Sequence, residues 1–137
     1  MGGLYWDACV LIYRIQRVDP WNRRIADALA ASSEPKLVVS ELGRMECRVK
    51  PLREGDQTTL AKYDKFFAAP TLGWVPYDRP IFDLAANLRA RHALKTPDAL
   101  HLAAAIVGGC GELWTNDRRL EQAAEGRLRV VSVDELP

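Results

Sequence analysis

Apolar residues along this chain fall into short runs separated by longer stretches of helical period. Leu4-Tyr5-Trp6, Lys36-Leu37-Val38-Val39, Glu112-Leu113-Trp114-Thr115 and Leu128 to Val133 read as strands. Between the first two, Ala8 to Arg17 carries Val10, Leu11, Ile12 and Ile15, and a linking helix over Asn22 to Ala31 carries Ile25 and Leu29. Ser32-Ser33-Glu34-Pro35 then breaks the chain. Ser40 is placed to cap the next helix, on which Leu42, Met45 and Val49 form the expected core stripe. Pro51 to Gly55 reads as a turn, and Asp56 to Ala69 as a helix packing through Leu60, Tyr63, Phe66 and Phe67.

The second half follows the same rule. Trp74 to Tyr77 is a short extended piece whose proline suggests a sheet edge. Asp78 and Pro80 open a helix with Ile81, Leu84, Ala85 and Leu88 on one face. Thr96 is then expected as an N-cap and Pro97 at the first helical position, before Ala99 to Val107, apolar but for His101. A helix apolar all round is buried between layers. Gly108-Gly109-Cys110-Gly111 stops it, and Asn116-Asp117 leads from the next strand into a helix over Arg118 to Ala124. Strands alternating with helices imply an α/β fold with a parallel central sheet and helices on both faces. No repeat or linker divides residues 1–137, so one domain is expected.

Composition narrows the function classes. Hydrophobic residues are 48% and charged residues 27%, an ordinary globular mixture. A formal net charge of +1 excludes a basic nucleic-acid coat and an acidic tail, though it leaves local patches open. The three cysteines, odd in number and widely spaced, suit reduced thiols in a cytoplasm. With two histidines besides, a transition-metal cage is not expected. No apolar run reaches the length of a membrane span, and no signal-peptide pattern is expected at the N-terminus.

The acids change the picture. Asp7 and Asp117 each stand just beyond a strand, where a helix begins, and Asp98 enters the first turn of the apolar helix. Glu46 borders the core stripe of its helix, whereas Glu41 aligns with Arg44 and Arg48 as a solvated ion-pair face. Each acid alone has a bland explanation: Asp7 as an N-cap, Asp98 as a complement to the helix dipole worth about 0.3–1 kcal/mol. Together they occupy the carboxyl edge of a parallel sheet, the usual place for ligands. Two such charges about 5 Å apart repel by roughly 3 kcal/mol at an effective dielectric of 20. Oxygen-only donors that need a counter-charge select hard divalent ions, Mg²⁺ or Mn²⁺, typical of phosphodiester chemistry.

Four segments then make a resemblance specific: Leu4-Tyr5-Trp6-Asp7, Ser40 to Glu46, Thr96-Pro97-Asp98-Ala99-Leu100-His101-Leu102-Ala103, and Trp114-Thr115-Asn116-Asp117-Arg118-Arg119-Leu120. In this order they resemble the PIN-domain family, and more closely the VapC-type toxins of toxin–antitoxin pairs. The resemblance implies a Mg²⁺- or Mn²⁺-dependent endoribonuclease, a homodimer neutralised by a small antitoxin. It implies that Asp7 and Asp98 are the main metal ligands, that Glu46 and Asp117 complete the acidic cluster, and that Thr115 and Asn116 support the metal or phosphate. The chain departs from the family at Ala8 and Cys9, where members often carry Thr or Ser.

Other readings fit less well. A haloacid-dehalogenase-type phosphotransferase needs a second acid where Cys9 stands, and a receiver domain needs paired acids and a late lysine that are not evident. The alternative of another class is a module on a PIN-like scaffold that binds RNA or protein without cutting. His101 reads as a core-facing residue making one hydrogen bond. Arg14, Arg17, Lys50, Arg53, Arg118 and Arg119 are candidates to hold RNA.

Overall fold

A computed structural model describes residues 2–33 and 35–137. Among these residues five strands, β1 (Leu4–Trp6), β2 (Leu37–Val39), β3 (Gly73–Trp74), β4 (Glu112–Thr115) and β5 (Arg129–Ser132), form one sheet in the order β3-β2-β1-β4-β5. All neighbours run parallel, with Leu4 beside Leu37 on one side and Trp6 beside Trp114 on the other. The expected α/β architecture is therefore present, with the Trp74 segment at the edge. A parallel sheet needs both faces covered. Tyr5 and Leu113 join one core with Ile81, Leu88 and Leu102, while Trp6, Val39 and Trp114 join the other with Val10, Ile25 and Tyr63. The strands' two-residue period sorts their side chains between the layers.

Among the described residues seven helices connect and cover the sheet: α1 (Ala8–Ile15), α2 (Trp21–Ala30), α3 (Glu41–Glu54), α4 (Gln57–Phe67), α5 (Arg79–His92), α6 (Thr96–Val107) and α7 (Arg119–Ala124). A 3₁₀ turn over Val133–Glu135 follows β5. Gly108 ends α6, and its buried residues Ala99, Leu102, Ala103, Ala104 and Ala105 place it between layers, as its composition requires.

Four expectations need correction. Thr96 is not the cap of α6 but its first residue; Lys95 stands at the cap without a side-chain bond, and Pro97 falls in the first turn. Pro51 does not begin a turn. It lies inside α3, which continues to Glu54 and ends on Gly55 in the left-handed conformation that glycine adopts freely. The stripe of Leu42, Met45 and Val49 is not the core face of α3: Met45 and Val49 are 56% and 46% exposed, and the buried residues are Gly43, Cys47 and Pro51. Arg48 pairs with Asp64 at 3.1 Å and leaves Glu41 to Arg44 alone, at 3.5 Å. The break expected at Ser32 to Pro35 includes Glu34, which lies outside the described residues; α2 ends at Ala30.

Candidate active site

Parallel pairing puts the carboxyl ends of β1 and β4 side by side, and the chain turns into a helix directly after each. Asp7 follows β1; its amide donates to the Trp114 carbonyl at 3.3 Å, which ties the acid to the neighbouring strand. Its Oδ1 accepts the Val10 amide at 3.3 Å, so Asp7 does cap α1. The cap and the candidate ligand are the same side chain. At the position where the resemblance leads one to expect a hydroxyl, Cys9 Sγ donates to Asp7 Oδ1 at 2.8 Å. Burial, then the Asp7 charge, pushes the Cys9 thiol far up, so it stays a protonated donor.

Asp117 is set by the turn after β4. The buried hydroxyl of Thr115 accepts the Asp117 amide at 3.1 Å. Asn116 donates to the Tyr13 hydroxyl at 3.0 Å. Arg119 donates to both Asp117 oxygens, its shortest contact 2.7 Å. That guanidinium holds the Asp117 carboxyl below its ordinary range. Arg119, expected as a holder of RNA, is here the counter-ion of a cleft acid.

Asp98, in the first turn of α6, is half-buried. Burial, then the charges of Asp117 and Asp7, raises its carboxyl above the ordinary value, against the pull of His101 and Arg119. Three of the acids therefore feel one another. Glu46 reaches the same place from α3, where it accepts from His101 Nε2 at 2.6 Å. Asp7, Glu46, Asp98 and Asp117 all line one cleft of about 340 Å³, together with Thr115 and Asn116. The residues singled out in the sequence thus meet in one cavity.

The acids meet but do not crowd. Among the described residues no three His, Cys, Asp or Glu side chains form a group that could hold a metal ion. Arg119 and His101 draw Asp117 and Glu46 into their own pairs. The donor set nevertheless fits a hard divalent cation in kind: four carboxylates line the cleft, with one thiol and one imidazole beside them, too few for a sulfur or imidazole cage.

Some residues escaped sequence reasoning. Tyr5 and Ser40 bond to each other at 2.7 Å behind the cleft, and His101 makes two bonds where one was expected. The signal for His101 was its being the single polar residue in an apolar helix; Tyr5 gave none. Lys62 and Lys65 were also missed: with Arg14 and Arg17 they line a groove of about 730 Å³ at the far end of α1. Arg118 is paired with Glu135 at 3.2 Å.

Comparisons with known proteins agree with this fold. The PIN domain family model matches residues 4–126. No curated protein sequence matches the chain. Among solved structures, a toxin–antitoxin complex from Klebsiella pneumoniae is similar at 24% identity and a TM-score of 0.67, covering 96% of this chain and 98% of that one. VapBC2 from Rickettsia felis, bound to a DNA fragment from its promoter, is similar at 15% identity and a TM-score of 0.74, covering 94% and 97%. VapBC-1 from nontypeable Haemophilus influenzae gives 14% and 0.73, covering 96% and 98%. At these identities the likeness is one of fold.

Proposed function

This chain belongs to the PIN-domain family, and from that premise we propose that it is a divalent-metal-dependent endoribonuclease, the toxin of a toxin–antitoxin pair. The observation that carries the reading is the single cleft lined by Asp7, Glu46, Asp98 and Asp117 at the carboxyl edge of the sheet. Asp7 and Asp98 would be the main ligands of Mg²⁺ or Mn²⁺, with Glu46 and Asp117 completing the set. When bound, such an ion lowers the pKa of a water and offsets charge on the phosphate.

The chain's own part is positional. Cys9 Sγ–H and the Val10 amide fix Asp7, and Thr115 fixes the backbone of Asp117. Preset donors and acceptors of this kind need no reorganisation during the reaction. A carboxylate of the group accepts the proton that the attacking water gives up. Arg119, 76% exposed at its side chain, would exchange its bonds to Asp117 for an RNA phosphate. The Arg14, Arg17, Lys62 and Lys65 groove offers further positive charge to the RNA backbone.

The proposed partners follow from the same reading. A small antitoxin would cover the acidic edge, laying a helix in its groove and inserting a basic side chain among the carboxylates. Met45, Val49 and Leu52, 56%, 46% and 54% exposed on one face of α3, support a homodimer. Among the described residues no helix is long and apolar enough to cross a membrane; the cytoplasm is the proposed site of action. The second reading is a scaffold that binds RNA without cutting it. What favours it is that Asp117 and Glu46 are each already paired.

One experiment separates the two. Purified protein is expected to cleave labelled RNA with Mn²⁺ or Mg²⁺ and to stop in EDTA. Asp7→Ala should lose more than about a hundredfold in rate, since removing a ligand of the water-activating ion forfeits several kcal/mol. RNA binding without cleavage would establish the non-cutting scaffold. Undiminished cleavage by Asp7→Ala would mark a contaminating nuclease and end the assignment.

A further inference from the structure

Behind the cleft lies a chain of buried polar groups. His101 is 3% exposed in the core helix α6, yet both its ring nitrogens are engaged. Nδ1 stands 2.7 Å from the Tyr5 hydroxyl, and Nε2 stands 2.6 Å from Glu46 Oε1. Tyr5, on β1, is fully buried, and its hydroxyl is also 2.7 Å from Ser40 Oγ, the cap of α3. Ser40 Oγ in turn accepts the Gly43 amide at 3.3 Å.

With a neutral imidazole, one assignment of protons satisfies the whole chain. An ionised Glu46 can only accept, so Nε2 carries the imidazole proton. Nδ1 then accepts from the Tyr5 hydroxyl, which accepts from Ser40, which accepts from Gly43. Burial keeps the Tyr5 phenol protonated, with its pKa well above the ordinary value. Every member has its partners, as a buried network requires. The chain joins β1, α3 and α6, the three elements that carry or lead into Asp7, Glu46 and Asp98.

We propose that His101, backed by Tyr5, is a positioning residue that fixes the Glu46 carboxylate toward the metal site. A histidine satisfied only for the sake of the core would have no reason to end on a cleft acid. Glu46 is 28% exposed at its side chain, and a free glutamate there would sample several rotamers. The Nε2–H bond selects one of them and orients its oxygens before any ion arrives. This role rests on the placement of Glu46 in the site proposed above.

The test is calorimetric titration of RNA-free protein with Mn²⁺, beside cleavage rates. His101→Leu keeps apolar bulk and deletes both bonds; it is expected to weaken Mn²⁺ binding about tenfold, the lower range for loss of an outer-shell partner. His101→Gln, whose amide can donate from near the position of Nε2, should recover most of that loss. In a Glu46→Ala background, His101→Leu should change the affinity by less than about twofold, because a residue acting through Glu46 has nothing left to act on. If His101→Leu fails to fold, Tyr5→Phe, which removes one oxygen, takes its place in the same cycle, with a loss of about threefold in the parent and none beside Glu46→Ala. An equal loss with and without Glu46 would reduce His101 to a packing residue and overturn the proposal. Normal Mn²⁺ binding by Glu46→Ala would overturn it too. In that case Asp7→Ala tells the two readings apart: lost binding there keeps the metal site without Glu46, and retained binding ends the metal site itself.

Discussion

Asp98 and Asp117 stand in one cleft and respond to it in opposite senses. Asp117 is lowered by Arg119, so its ionised form contributes stability above the ordinary carboxylate pKa and loses it as pH falls through the folded value. Asp98 is raised by burial and by two neighbouring charges, so at neutral pH its ionised form works against the fold. Its cost is complete above its folded pKa and fades as pH falls through that value. Asp98→Asn keeps the shape and removes one charge. In EDTA at neutral pH it is expected to melt above the parent by about 3 °C, allowing for solvent screening. The gain should shrink as pH enters the carboxylate range. Mn²⁺ should raise the parent's melting point, since an ion that binds only the folded state shifts unfolding by mass action, and should raise the variant's less. Thermal melts of both proteins, with EDTA and with Mn²⁺, check this. A lower melting point in EDTA with the Mn²⁺ shift intact would make Asp98 a helix-dipole partner and nothing more.

Helix α3 shows how an element can be read correctly in period and wrongly in direction. Its apolar positions do recur at helical spacing, but an amphipathic pattern cannot say whether its apolar stripe meets the chain's own core or a second molecule. The core face here is Gly43, Cys47 and Pro51, small or rigid residues that carry little weight in a hydrophobicity pattern. Glu46 was singled out because it bordered a stripe that turned out to be exposed; it belongs to the cleft because it lies next to Cys47 on the inward-turning side and meets His101. The acids at strand ends were legible for a sounder reason. A parallel sheet forces strand ends onto one edge, so Asp7 and Asp117 could be placed from chain order alone. The buried network could not, since Tyr5, Ser40 and His101 are far apart in sequence and no local pattern pairs them. The exposed stripe has its own consequence. Val49→Asp with Leu52→Asp is expected to cost the melting point only the part that the proposed dimerisation adds, since surface changes away from buried features cost little. The same pair should shift sedimentation from dimer to monomer. A large loss of stability with unchanged sedimentation would return this face to the core.

At the scale of the whole molecule, the sheet order matters most. β1 is the central strand, and it is held by β2 on one side and by β4, more than a hundred residues later, on the other. A fragment of residues 1–110 keeps Asp7, Glu46 and Asp98 in sequence but lacks β4 and β5. It is expected to show no cooperative melt by circular dichroism and no cleavage. The order of synthesis gives this a second meaning. Ribosomes add about 5–20 residues per second, so for about 1–3 s a growing chain bears three of the four acids with nothing to gather them. Only when Trp114 emerges can the Asp7 amide find its carbonyl and the first and last acids come together. A topology built on distant pairing is slow to close. For an enzyme proposed to cut RNA, the expected consequence is that an unfinished chain leaves the messenger still being read uncut.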